Sequence, residues 1–225
     1  MTFSIIGRCA RKGMFGVAIT TSSIAVGARC PHARAGVGAV DTQNVTDPSL
    51  GPELLDLMGQ GKSARAAMDQ VVHGRRDIEY RQLTAIDRSG GLAHWTGAKV
   101  LGRNAVAEGV DCLAAGNLLK SEGLPAAMVT KFGHLAETHL AERLLQALLA
   151  GLEHGGEEGP VHSAALLVYD KLSFPLVSLR VDWDDENPIA RLGLLWKDYE
   201  GQLDAYLQRA VNPSGAQSYG VPGDP

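Results

Sequence analysis

The second residue of the chain is a threonine that opens an apolar run, Thr2-Phe3-Ser4-Ile5-Ile6-Gly7, with only Met1 before it. An initiator methionine is usually removed when a small residue follows. That removal leaves Thr2 with a hydroxyl and a free α-amine on one residue. The amine titrates near about 7.7–8.0, so it can take a proton from its own hydroxyl, a known way of making threonine a nucleophile. Threonine is also common at position 2, so this feature by itself favours an ordinary strand start over catalysis.

The remaining polar residues are read against that nucleophile. Asn117, after Gly116 at a strand end, is the candidate side-chain donor for an oxyanion; the alternative is a turn asparagine. Thr42 and Gln43 follow a small-residue strand and suit contacts to substrate polar groups, or the satisfaction of buried backbone. Thr20, Thr21, Ser22 and Ser23 form a hydroxyl run at the end of a hairpin. Thr21 or Ser22 could orient the Thr2 amine, or the run could be a solvated strand edge. His32, in a loop near that run, and His162, at the start of a later hairpin, could act as acid or base near neutrality, or be structural.

Other chemistries lack their residues. No HExxH, EF-hand, Walker A, dinucleotide GxGxxG or G-x-S-x-G pattern occurs. His134, His139 and His154 do not share a helix face, so no metal site and no cofactor is expected. Cys9, Cys30 and Cys112 have no zinc or CxxC spacing and read as free thiols of a reducing compartment. A net charge of −4 with scattered cations argues against nucleic acid. No apolar run approaches the ~20 residues of a membrane span, and the N-terminus lacks a signal-peptide layout. A cytoplasmic protein with a small-molecule ligand is the expectation.

The elements that must position these groups follow from periodicity. Residues 3–8 and 15–20 predict a first hairpin, 80–87 and 91–96 a second, 163–169 and 176–183 a third. Strands are expected at 24–27, 35–41 and about 110–115. The glycines within 35–41 call for close approach of another backbone or a ligand. Helices are expected after Asp47-Pro48-Ser49, after the capping residue Ser63, over roughly 122–152, and from Asn187-Pro188 to about 210. Trp196, Tyr199 and Tyr206 lie on one face of the last helix, which suits docking on its own core or a contact between copies. The 225 residues fit a single domain over 1–211, followed by a Pro/Gly-rich tail at 212–225. The order of hairpins and amphipathic helices predicts an α+β fold of two mainly antiparallel sheets between helical layers.

Several stretches resemble the DUF1028 family, placed among the N-terminal nucleophile (Ntn) hydrolase-like proteins. They are Thr2-Phe3-Ser4-Ile5-Ile6, Gly16-Val17-Ala18-Ile19, Ala25-Val26-Gly27, Arg34-Ala35-Gly36-Val37-Gly38-Ala39-Val40 with Thr42-Gln43, Pro48-Ser49-Leu50-Gly51-Pro52, Tyr80-Arg81-Gln82, Thr96-Gly97-Ala98, Gly116-Asn117 and Ser163-Ala164-Ala165-Leu166. The resemblance implies a four-layer αββα sandwich and an amidohydrolase that attacks a small amide or ureido compound with Thr2. A non-catalytic ligand-binding or assembly protein on the same fold is the alternative. The chain departs from many members in carrying Asp41 before Thr-Gln, Glu157 after Gly155-Gly156, and His162 before Ser-Ala.

Overall fold

The computed structural model describes residues 1–221 and consists, over these, of two antiparallel sheets and six α-helices. The first sheet has six strands in the order β10-β9-β2-β1-β8-β7. These are β1 (Thr2–Cys9), β2 (Met14–Thr21), β7 (Ala105–Gly109), β8 (Cys112–Asn117), β9 (Ser163–Tyr169) and β10 (Val177–Val181). The second sheet runs β3-β4-β5-β6, with β3 (Pro31–Arg34), β4 (Gly38–Asn44), β5 (Arg81–Asp87) and β6 (Leu92–Thr96). The helices are α1 (Leu50–Gly59), α2 (Ala64–Val72), α3 (Leu124–His134), α4 (Leu140–Glu153), α5 (Pro188–Glu200) and α6 (Leu203–Val211).

Strand alternation divides β1 into two faces. Phe3 and Ile5 pack with Phe132, Leu144, Leu148, Leu192 and Trp196 of α3, α4 and α5. Ile6, on the other face, joins Phe15, Val17, Leu113 and Ala115 against Ala39 and Ile86 of the second sheet. The opposite face of that sheet, through Val40, Leu83 and Ala93, meets Leu50, Leu54, Met58 and Met68 of α1 and α2. All these side chains are buried. Each apolar side chain of this size withdrawn from water contributes roughly 1.5–3 kcal/mol before the entropy of ordering is counted.

The three predicted hairpins form, and Ser63 and Asn187 cap their helices by accepting from the backbone N–H groups of Ala66 (3.2 Å) and Ala190 (2.9 Å). Other expectations are corrected. Residues 24–27 do not form a strand. Ala25 is left-handed (φ 54°) and Val26–Ala28 is a 3-10 turn, held by Val26 N–H on Ser163 Oγ and Ala25 N–H on the Asp182 carbonyl. The strand expected at 35–41 starts at Gly38, because Ala35 to Val37 turn the chain between β3 and β4. A Cβ on Gly38 would lie 2.2 Å from the Ile86 carbonyl oxygen, so the close approach is that of a neighbouring strand.

The helical stretch at 122–152 is two helices, because Thr138 bonds back to Leu135 and His139 caps a new start at Leu140. The last helix breaks at Gly201-Gln202, where glycine has low helix propensity. β7 has no β-branched run to announce it and is defined by its pairing with β8. Trp196 is buried and donates to Glu142, and Tyr199 donates to the Leu176 carbonyl, so these two aromatics are used within the chain. Before the tail leaves the described residues after 221, the Arg209 guanidinium lies 3.7 Å from the Tyr219 ring centroid. No helix among the described residues is long and apolar enough to cross a membrane.

Candidate functional site

β1 is flanked by β2 and β8, and its first residue is aligned with the last of each. Thr2 pairs with Thr21 on one side and with Asn117 on the other. Directly opposed residues in a ladder project to the same face, so three polar side chains converge on the face of β1 that meets the second sheet. The Thr2 and Thr21 hydroxyls lie 3.0 Å apart. Thr2 Oγ1 also donates to the Met1 carbonyl oxygen at 2.6 Å, and Thr21 Oγ1 reaches the same oxygen. All three polar residues are buried.

The second sheet supplies the floor. Ala39, Asp41 and Gln43 share one face of β4, and Val40 and Thr42 the other. Gln43 Nε2 donates to Gln82 Oε1 at 2.7 Å, and Asn117 Nδ2 donates to the same oxygen at 3.2 Å. Gln82 Nε2 in turn donates to the Gly116 carbonyl at 3.2 Å and approaches Thr96 Oγ1 at 3.4 Å. Gln82 therefore ties the two sheets together beneath Thr2. The amide oxygens of Gln43 and Asn117 are buried without partners. Each unpaired buried acceptor costs about 1–3 kcal/mol, which a ligand N–H could recover.

One strand turn further in, Ser4 Oγ donates to Asp41 Oδ2 at 3.0 Å. Asp41 is fully buried. Burial pushes its carboxyl up to about 8, with the Ser4 hydroxyl and the Thr42 backbone N–H opposing. A cavity of about 140 Å³ opens at these strand ends, bounded by Met1, Thr2, Thr21, Ser23, Gln43 and Asn44, and by Arg29 and Cys30. The Arg29 guanidinium is held on the Ile24 and Ala25 carbonyls. The Cys30 thiol is pushed up to about 12, first by burial and then by Asp41. It is therefore a thiol at neutral pH and no competitor to Thr2 as nucleophile. All three cysteines are free and buried. No group of three or more His, Cys, Asp or Glu side chains placed to hold a metal ion occurs among the described residues.

Of the residues singled out from sequence, Thr2, Thr21, Ser23 and Gln43 line this cavity, Asn117 is paired with Thr2 in register beside it, and Thr42, His32, His162 and Ser22 lie elsewhere. Thr42 faces the helix side of β4 and bonds to Thr46 (3.2 Å) and the Asp47 carbonyl (3.3 Å), shaping the turn into α1. His32 packs its ring on Gly51 of α1, with Nε2 3.3 Å from the Arg29 carbonyl, and burial lowers its pKa. His162 presents its backbone N–H to the Thr21 carbonyl at 2.8 Å, but its ring stacks on Trp183 (centroids 4.3 Å apart) and faces Asp184 and Asp185. Ser22 is half-buried past the end of β2 and takes part through its backbone.

Sequence reasoning missed Gln82, although it lies in the Tyr80-Arg81-Gln82 stretch, and it missed Glu157. Glu157 is buried, neither carboxylate oxygen has a hydrogen-bond partner of good geometry, and burial pushes the carboxyl up to about 8. The chain's own α-amine and the Ser22 N–H oppose that rise.

These features define an α+β protein whose central strand begins at a buried cluster of hydroxyl and amide side chains. The chain belongs to a family of unknown function, DUF1028, whose model matches residues 2–192. The crystal structure of protein SPO2555 from Silicibacter pomeroyi, of the same family, is similar at 29% identity with a TM-score of 0.81, covering 88% of each chain. Anbu (ancestral beta-subunit) from Yersinia bercovieri aligns at 11% identity with a TM-score of 0.40, over 92% of this chain and 97% of that one. No curated protein matches the chain.

Proposed function

We propose that this chain is an N-terminal nucleophile amidohydrolase on a four-layer αββα sandwich. Thr2, freed by removal of Met1, would cleave a C–N bond of a small amide or ureido compound. The observation that carries the reading is the Thr2 hydroxyl at the start of the central strand, 3.0 Å from the Thr21 hydroxyl on one side and paired in register with Asn117 on the other.

In this reading Thr2 Oγ1 attacks the substrate carbonyl carbon and its proton passes to the Thr2 α-amine. Thr21 holds the attacking oxygen in place. Asn117 spends one amide proton on Gln82 and has a second for the oxyanion. The C–N bond then breaks, the leaving nitrogen takes the proton from the ammonium, and water hydrolyses the ester left on Thr2. The unpartnered oxygens of Gln43 and Asn117 suit a substrate rich in N–H donors. Met1 stands where such a substrate would lie, since it bounds the cavity and its side chain packs on Gly159.

The test is the intact mass of freshly expressed protein, followed by a panel of small amides and ureido compounds. A mass lower by one methionine, with turnover abolished in Thr2→Ala, supports the reading. A mass that includes Met1 and no turnover by any processed form overturns it.

One observation favours a second reading, a non-catalytic ligand-binding protein. With Met1 in place the Thr2 nitrogen is an amide and no base, and both hydroxyls are already engaged by the Met1 carbonyl. A bound small molecule recovered chemically unchanged after long incubation with the processed chain would support this alternative.

A further inference from the structure

We propose that Glu157 is the positioning residue for the Thr2 α-amine: its buried, unpartnered carboxyl stands at the open start of β1 and pairs with that amine once Met1 has gone. The inference rests on the reading of Thr2 as an N-terminal nucleophile and adds the group that would orient its base.

The argument starts from a change of partner along β8. Up to Asn117 the strand pairs with β1, ending at Thr2. Beyond it β1 has run out, and the segment 156–158 takes its place. Leu119 bridges to Glu157, Lys120 N–H donates to the Gly156 carbonyl at 3.2 Å, and Glu158 N–H donates to the Leu118 carbonyl at 2.8 Å. Gly155 and Gly156, both at positive φ (110° and 66°), turn the chain from the end of α4 into this position. Segment 156–158 therefore continues the line of β1 backwards past its first residue. The Met1 side chain packs next to this segment, where a Cβ on Gly159 would lie 2.6 Å from Met1 Cε.

Glu157 is 2% exposed, and neither of its buried oxygens has a hydrogen-bond partner of good geometry. A buried carboxyl with no partner is costly, and a polar group this orphaned needs an explanation. The chain's α-amine acts on it electrostatically, and the Ser22 N–H is its other polar influence. Removal of Met1 moves that amine one residue along, onto Thr2. The pairing would work as an acidic side chain does behind a catalytic imidazole: it fixes the base in direction and stabilises the cation formed when the base accepts a proton. Arg29 lines the cavity at Thr2, already held on two carbonyls, and Asp41 lies further in, bonded to Ser4 of β1. Glu157 itself lines a neighbouring groove together with Lys120, Glu158 and Glu186.

The test uses the whole chain released from a cleavable N-terminal fusion with Thr2 first. The pH dependence of α-amine acylation by acetic anhydride is followed by mass spectrometry. The apparent pKa of the amine should fall by about one unit or more in Glu157→Gln and Glu157→Ala, since a nearby opposite charge shifts a pKa by about 1–3 units. Glu157→Asp should recover part of the fall. An amine pKa unchanged in both neutral variants, with their unfolding midpoints matching or exceeding the parent's, overturns the proposal. That outcome leaves Thr2 free to be the nucleophile. Absent turnover with a shifted amine would instead sink the catalytic reading and keep the pairing.

Discussion

Thr2 and Asn117 face each other across β1 and β8, 115 positions apart in sequence and directly paired in register. The pairing places the proposed nucleophile opposite an amide that gives one proton to Gln82. Thr21 closes the third side of the arrangement with its hydroxyl 3.0 Å from that of Thr2.

The proposed nucleophile is tested first. Thr2→Ala should abolish turnover of any amide found to be a substrate, while Thr2→Ser should retain part of it. Thr21→Val should lower kcat by about 10-fold or more, the loss expected when one hydrogen bond of about 1.4 kcal/mol that orients the reacting oxygen disappears. Steady-state kinetics on refolding-competent variants decide, and full activity in Thr2→Ala would end the mechanism.

Asn117→Ala should cost about 10²–10³ in kcat, the usual loss for one oxyanion donor. Gln82→Leu should act differently, because Gln82 Oε1 accepts from both Gln43 and Asn117. Its loss leaves buried donors unpaired at about 1–3 kcal/mol each. Urea unfolding is expected to show a lower midpoint for Gln82→Leu than for Asn117→Ala. The reverse order would mean that the amide cluster does not join the sheets.

Asp41 makes stability depend on pH. Its carboxyl is raised from 3.8 to about 8 in the folded chain, chiefly by burial. The folded state therefore holds a proton that the unfolded state has already released above pH ~4. The stabilisation is complete below the unfolded value and is lost as pH rises through the folded one. Asp41→Asn should remove that slope, being relatively more stable than the parent at pH 9 than at pH 4.5. Parallel urea midpoints for the two proteins at both pH values would refute this.

Gly51 and His32 test whether the histidine is a packing group. A Cβ on Gly51 would lie 2.1 Å from His32 Cδ2. Gly51→Ala should destabilise by about 1–3 kcal/mol through overpacking, and adding His32→Ala should recover much of it. Thermal unfolding of the single and double variants measures the coupling, and simple additivity would place His32 elsewhere.

Local pattern was enough for the hairpins and for the caps at Ser63 and Asn187. Alternation and capping act within a few residues, so they are written in adjacent positions. The broken helices at 135–139 and 201–202, and the edge strand β7, were not legible, since apolar periodicity continued across the breaks and β7 has little intrinsic strand preference. The site divided in the same way. Thr21 and Gln43 could be named from their strand ends, yet the face each side chain takes depends on register. That is why Thr42 turned to the helix side and His32 onto Gly51. Gln82 and Glu157 stand in stretches that the family resemblance marks, but nothing local gives them a role. They matter because β5 lies beneath β8 and because segment 156–158 fills the line vacated by β1. Such contacts between distant segments are set by how the two sheets stack and where each strand stops, and only the tertiary structure decides them.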